Sequence, residues 1–217
     1  MRAVIFDLWD TLVLWSPDEN RELVARTAAH VGVEPEALRR AFEETHLERS
    51  VGPLRDNVRA VIDALGIDGN HGDAIMRLRL EQTRRVLVPR EGALETLDEL
   101  RRRGLKRGLI SVCSSDVEEL WDETLLAPHF DDVVLSCTVG LRKPDPEIYL
   151  LSCRRLDVEP RDCLFVGDGA NDELAGAERV GMEAACILRP GAGEALWPEA
   201  RGWEPTIRHL RDVLDLI

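Results

Sequence analysis

Residues able to do chemistry recur in this chain where an apolar run gives out. Val4-Ile5-Phe6 runs into Asp7, Leu109-Ile110 into Ser111, and Leu164-Phe165-Val166-Gly167 into Asp168, with Asp172 close behind. A carboxylate delivered by a buried strand can act as a nucleophile and form an ester or acyl-phosphate intermediate; it can also simply end the strand. Ser111 offers a hydroxyl to an anionic oxygen. Capping is the common alternative for such a serine, and Ser114 or Ser115 takes that role more naturally. Asp168 and Asp172, separated by small residues that let a ligand approach the backbone, would repel Asp7 unless a cation stood among them. Hard carboxylate oxygens in such a setting suit Mg2+. Asp172 also fits a plain role at a helix N-terminus, which Asp168 fits badly. A further group lies in Gly140-Leu141-Arg142-Lys143-Pro144-Asp145-Pro146, where two prolines hold the loop stiff around Lys143. Of 28 basic residues only Lys106 and Lys143 are lysines. A compact ammonium at Lys143 therefore reads as a site charge, with a solvated loop charge as the lesser alternative, although Lys106 looks like ordinary surface.

These groups have to be carried by elements. Val4 to Phe6 is a short run without polar alternation, as expected of a strand buried on both faces. From about Ser16 to Val88 the apolar residues recur at helical spacing (Leu23, Val24, Thr27; Ala37, Leu38, Ala41; Val58, Val61, Ile62, Leu65; Ile75, Leu78, Gln82). Breakers at Ser16-Pro17, Gly32 with Pro35, Gly52-Pro53 and Gly66 to Gly72 divide them into four helices with no strand among them. Strand and helix then alternate. Helices are expected over Glu91–Arg103, Ser115–Leu126, Pro146–Leu156, Asn171–Val180 and Thr206–Leu216. Strands are expected over Arg107–Val112, Asp132–Leu135, Cys163–Val166 and Ala184–Leu188. Pro190 to Pro205, with Trp197 and Trp203, reads as an irregular flap packed on the core. Alternation of this kind predicts a Rossmann-like α/β core, a parallel sheet with helices on both faces. The core would comprise residues 1–15 and 89–217, with an inserted α-helical bundle at 16–88 placed to cover a site at the mouth of the sheet.

Composition limits the partners. The 217 residues carry a formal net charge of −13, and the basic residues are scattered apart from Arg101-Arg102-Arg103. That triplet reads as the positive last turn of a helix, so no nucleic-acid partner is expected. No apolar run is long enough to span a membrane. The five cysteines are widely spaced with no Cys-x-x-Cys, which argues for a reducing compartment, against a zinc site, and for a cytoplasmic enzyme without a signal peptide.

Taken in order, an aspartate, a serine, a lysine and an acidic pair at strand ends give the chain a resemblance to the haloacid dehalogenase-like (HAD) hydrolases over essentially its whole length. Phe6-Asp7-Leu8-Trp9-Asp10-Thr11-Leu12 resembles the first motif of that family, Ser111 the second, Lys143 the third, and Gly167-Asp168-Gly169-Ala170-Asn171-Asp172 the fourth. The resemblance implies Asp7 as nucleophile, with Thr11, Ser111 and Lys143 binding phosphate. It implies Mg2+ held by Asp7, the Trp9 backbone carbonyl, Asp168 and Asp172. Members with this pattern are mostly phosphatases of small phosphorylated metabolites. One position departs: such phosphatases carry an acid/base aspartate where this chain has Trp9. General acid–base help is worth roughly 10²–10⁴-fold, so a slow phosphatase is expected. Asp10 is the nearby substitute, but alternation along an extended strand turns it away from Asp7. An aromatic residue at this position resembles the metal-free 2-haloacid dehalogenases, whose fourth motif is typically Ser-rich, unlike Gly167-Asp168 here. A phospho-ligand-binding protein without turnover is the third reading. Specificity is expected from the insert, at the turn from Arg49 to Arg55. The sequence leaves monomer and homodimer equally open.

Overall fold

Ala3–Phe6 forms strand β1, buried at every residue, at the centre of a six-stranded sheet in the computed structural model, which describes residues 1–217. The other strands are β2 (Lys106–Ser111), β3 (Asp132–Leu135), β4 (Cys163–Gly167), β5 (Glu183–Ile187) and β6 (Thr206–Ile207). All pair in parallel, in the order β3-β2-β1-β4-β5-β6. The helices are α1 (Pro17–Val31), α2 (Pro35–Glu44), α3 (His46–Arg49), α4 (Leu54–Leu65) and α5 (Gly72–Val86), then α6 (Ala93–Arg102), α7 (Ser115–Leu120), α8 (Ser136–Val139), α9 (Pro146–Leu156) and α10 (Glu173–Arg179).

The two-residue period of the strands sorts their side chains into two layers. Val4, Phe6, Leu109, Leu164 and Val166 face one side with Leu97, Val117 and Val213, in a cluster of 24 buried residues. Ala3, Ile5, Ile110 and Phe165 face the other with Ile148, Tyr149 and Ala177, in a cluster of 18. Both faces are covered, which is why β1 and β4 are continuously apolar. The order of strands reverses at β1, which pairs with β2 on one side and β4 on the other. Ligand sites of open α/β sheets lie outside the carboxyl ends of strands at such a switch point.

The segment from Pro17 to Val86 carries helices and no strand. Four of its helices have 10 to 15 residues; α3 adds a single turn. In α1 the Ser16 side chain accepts the Glu19 N–H, Pro17 opens the first turn and Gly32 ends the helix with φ +74°. The buried residues of the segment form two clusters of five, around Leu38 and around Ile75.

Three sequence expectations need correction. Thr206–Leu216 is not an α-helix: Thr206 and Ile207 extend the sheet beside β5, and a 3₁₀ turn covers Leu210–Asp215, capped by His209 with Asp212. The helix expected from Ser115 to Leu126 stops at Leu120 and continues as separate 3₁₀ turns. The helix expected from Asn171 starts at Glu173, because Asn171 and Asp172 both adopt φ +55°. The 190–205 stretch is irregular and bears on the core through Ala195, Ala200 and half-buried Trp203. No helix is long and apolar enough to cross a membrane.

Candidate active site

Asp7 follows the last residue of the central strand, and its N–H still donates to the Val166 carbonyl across the sheet (2.8 Å). Beyond it the chain folds back: the N–H groups of Leu12 and Val13 both donate to the Leu8 carbonyl (2.9 Å each). Ser111 closes β2 on one side of Asp7, and Asp168 follows β4 on the other. The Lys143 ammonium enters from the loop ahead of α9 and lies 5.4 Å from the centroid of the Phe165 ring. That helix starts where the sequence placed it: Asp145 accepts the Glu147 N–H (3.0 Å) and Pro146 opens the first turn.

The Lys143 Nζ donates to Asp7 Oδ1 (2.5 Å) and to Glu173 Oε2. Asp7, Asp168 and Glu173 each offer a carboxylate oxygen within 4.8 Å of the others, and all three residues are buried. Glu173 Oε1 also accepts the Gly169 N–H (3.0 Å). A Cβ at Gly167 would collide with the Glu173 carboxylate, and one at Gly169 (φ +94°) with the Ala200 side chain. Asp168 is held at both oxygens, by the Ala170 N–H (3.1 Å) and by the Trp197 indole N–H (2.7 Å).

Burial dominates the electrostatics. It raises the pKa of Asp7 despite Lys143, and that of Asp168 despite the Trp197 hydrogen bond. It lifts Glu173 to about 8, with Lys143 opposing and Asp7 and Asp168 adding to the rise. For Lys143 burial disfavours the ammonium, yet Asp7 and Glu173 outweigh it and hold the group charged. With all four groups ionised the cluster is two negative charges in excess, so a divalent cation would neutralise it. The buried hydroxyls of Thr11 and Ser111 have no hydrogen-bond partner in the protein, a state proteins ordinarily avoid.

Of the residues singled out from sequence, Asp7, Lys143 and Asp168 meet directly. Ser111 and Thr11 lie on the same sheet end with free hydroxyls. Asp172 does not join them: it is exposed. Its left-handed backbone advances the chain by one residue, and Glu173 takes the inward position. Glu173 shares the buried face of α10 with Leu174, Gly176 and Ala177, and that periodicity was the available signal. Trp197 was expected only in a flap. Trp9 is half-buried and packs against the larger core cluster. Asp10 is turned to other partners, accepting the Trp15 N–H (3.1 Å) with Arg189 3.4 Å away. The cause is the turn at Asp10, φ +57°, rather than strand alternation. In the expected specificity turn Arg49 is buried and Arg55 exposed.

A parallel sheet with an aspartate at its switch point, and an ammonium among three buried carboxylates, defines a Rossmann-like α/β core with a buried charged site. The family model for haloacid dehalogenase-like hydrolases matches residues 1–181, and the chain belongs to that family of hydrolases. It is similar to a glyceraldehyde 3-phosphate phosphatase of Methanopyrus kandleri, 30% identical over 200 residues, covering 87% of this chain and 84% of the relative. It is also similar to (S)-2-haloacid dehalogenase 4A of Burkholderia cepacia, 29% identical over 88% of this chain and 84% of that one. The crystal structure of a HAD phosphatase from Thermococcus onnurineus superposes with TM-score 0.70 at 25% identity, covering 100% of this chain and 97% of the other.

Proposed function

We propose that the protein is a Mg2+-dependent phosphatase of a small phosphorylated metabolite. The observation that carries this reading is the buried trio Asp7, Asp168 and Glu173 around Lys143. Three carboxylates with one ammonium fit a divalent cation, and a metal-free dehalogenase has no evident use for them. Asp7 and Asp168 would hold Mg2+, with Glu173 beside them and the Trp9 carbonyl as a further oxygen. When bound, the ion would supply charge neutralisation at the transferring phosphoryl group.

The chain's own groups account for the rest. A carboxylate oxygen of Asp7 attacks phosphorus, the P–O bond to the leaving oxygen breaks, and an aspartyl-phosphate forms. Lys143 and the Ser111 and Thr11 hydroxyls, donors without a protein acceptor to satisfy the hydroxyls, hold the phosphoryl oxygens. The leaving oxygen takes its proton from water, since Trp9 has none to give and Asp10 is engaged elsewhere. Water then attacks the aspartyl-phosphate, releasing phosphate and regenerating Asp7. The helices at 16–88 act as a cap over this end of the sheet.

Release of p-nitrophenol from p-nitrophenyl phosphate tests the reading, because that leaving group needs little protonation. Turnover with Mg2+ that EDTA abolishes is expected. Trp9 and the relative from Burkholderia cepacia favour a second reading, hydrolysis of 2-haloacids. Halide release with no phosphatase activity would establish it and overturn the first.

A further inference from the structure

Arg49 is 7% exposed and pairs with no carboxylate. Its Nε donates to Thr45 Oγ1 (3.0 Å) and its Nη2 to the Phe42 carbonyl (2.7 Å); Nη1 donates to no protein group. Its guanidinium carbon lies 5.1 Å from the Phe42 ring centroid, and that of Arg79 lies 5.6 Å from the same ring. Arg79 is answered by Asp116 (2.9 Å) and Ser114. Arg142 stands nearby without an acid, donating to the Leu47 carbonyl (3.2 Å) and Ser50 Oγ (3.4 Å). Asp116 is thus the one carboxylate that pairs with any of these three guanidiniums. Burial and Arg79 together push Arg49 down to about 10. Partial burial and the fields of Arg49, Arg142 and Arg79 push His46 below its ordinary value.

In this chain of net charge −13 exposed arginines such as Arg26, Arg39, Arg84 and Arg85 find acids. Of the three buried ones, Arg107 pairs with Asp131 and Arg90 donates to the carbonyls of Asp10, Thr11 and Leu188, whereas Arg49 has one carbonyl and one hydroxyl. A buried guanidinium kept without a counter-charge is costly, and a ligand that supplies one removes the cost. The position is informative. Residues 50–52 are seated on the carboxyl end of the sheet: Ser136 Oγ donates to the Ser50 carbonyl (2.8 Å), the Gly52 N–H to the Cys137 carbonyl (3.0 Å), and Ser115 Oγ to the Gly52 carbonyl. Arg142 is the chain neighbour of Lys143. The basic cluster and the carboxylate–lysine site therefore lie at the same end of the sheet.

We infer that Arg49, with Arg142 at its rim, is a second anion-binding subsite, and that it takes the carboxylate at the far end of a short phosphomonoester. A planar guanidinium fork matches a carboxylate in a way a lone ammonium does not. The substrate is then a phosphorylated carboxylic acid, its phosphate toward Asp7 and Lys143 and its carboxylate toward Arg49. This rests on the phosphatase reading above.

The test compares kcat/KM for 2-phosphoglycolate and 2-hydroxyethyl phosphate, which share a skeleton and differ in the carboxylate, with p-nitrophenyl phosphate as a third substrate. The native protein should prefer the carboxylate by about ten- to a hundredfold. Arg49→Gln should bring that ratio near one through KM, Arg142→Gln should lower it partway, and Arg59→Gln, an exposed control on α4, should keep it. If Arg49→Gln fails to fold, Arg142→Gln carries the test. Turnover of p-nitrophenyl phosphate with a native ratio near one, or a ratio that neither variant lowers, overturns the subsite while the phosphatase reading stands. Failure to release phosphate from all three substrates overturns both.

Discussion

The α/β core and the helical segment are stabilised in different ways. The core buries 24 and 18 residues on the two faces of one sheet, whereas the segment at 17–86 relies on two clusters of five. Between α1 and α5 it adds exposed ion pairs, Arg26–Glu81 (2.9 Å) and Arg85 with Glu19 (2.8 Å) and Glu22 (3.1 Å), each worth about 0–1 kcal/mol. Its buried polar ties to the core run through Asp116, which accepts from Arg79 (2.9 Å), Thr83 (2.5 Å) and Ser114, and through Ser136 Oγ, which donates to the Ser50 carbonyl (2.8 Å). The charges that do the proposed chemistry sit on the rigid half, which keeps nucleophile, ammonium and acids in register. The arginine of the proposed second subsite sits on the lightly packed half, where a change of side chain would alter recognition with little effect on the sheet.

The largest effect expected from this division is on Asp7. Asp7→Asn should lower phosphate release by roughly a thousandfold or more while the thermal midpoint holds or rises, because a buried carboxylate is replaced by a neutral isostere. Full activity in that variant would take the chemistry away from the core. Packing is the next contrast. Phe165→Ala should cost about 3–5 kcal/mol and weaken urea resistance and hydrogen-exchange protection in every strand. Leu38→Ala should cost about 2 kcal/mol, with protection lost in residues 17–86 and kept in β1 and β4. Equal loss in both regions would mean that the two halves unfold as one.

The Asp116 tie gives a pH test. Arg79, Ser114 and Thr83 outweigh burial and hold its carboxyl below the ordinary 3.8. It therefore binds a proton less tightly folded than unfolded, so its contribution is fully present above 3.8 and is lost as pH falls through the folded value. That loss should be read as faster hydrogen exchange in α5 as the pH falls below 3.8. Asp116→Asn should show no such pH dependence. The smallest effect is expected at the flap. Trp197→Phe removes one hydrogen bond to Asp168 from a side chain 38% exposed, worth about 0.5–1.5 kcal/mol. It should weaken Mg2+ binding by about threefold to tenfold, measured by calorimetry, with the fold unchanged.

Much of this was legible in residue order. Apolar runs without alternation marked β1, β4 and β5 because strands covered on both faces need no polar side. Ser16-Pro17 and Asp145-Pro146 marked helix starts because caps act over three residues. The carboxyl-terminal segment misled for a local reason: Ile207, Leu210 and Val213 recur every three residues, and over so short a stretch a 3₁₀ period passes for an α-helical one. Asp172 stands outside the acidic trio because Asn171 and Asp172 are both left-handed, a conformation that nothing nearby in the chain dictates.

By itself, the sequence determined where strands end, and therefore that Asp7, Ser111 and Asp168 would share one edge of a parallel sheet. Each of those facts depends on a few neighbouring residues and on the two-residue period of a strand. Only the tertiary structure decided that Glu173 rather than Asp172 completes the acidic trio, that Trp197 closes over Asp168, and that Arg49 lies buried without an acid. Those outcomes depend on distances between residues far apart in the chain, and such distances are fixed by how two sheet faces and a helical segment pack, which local preference does not encode.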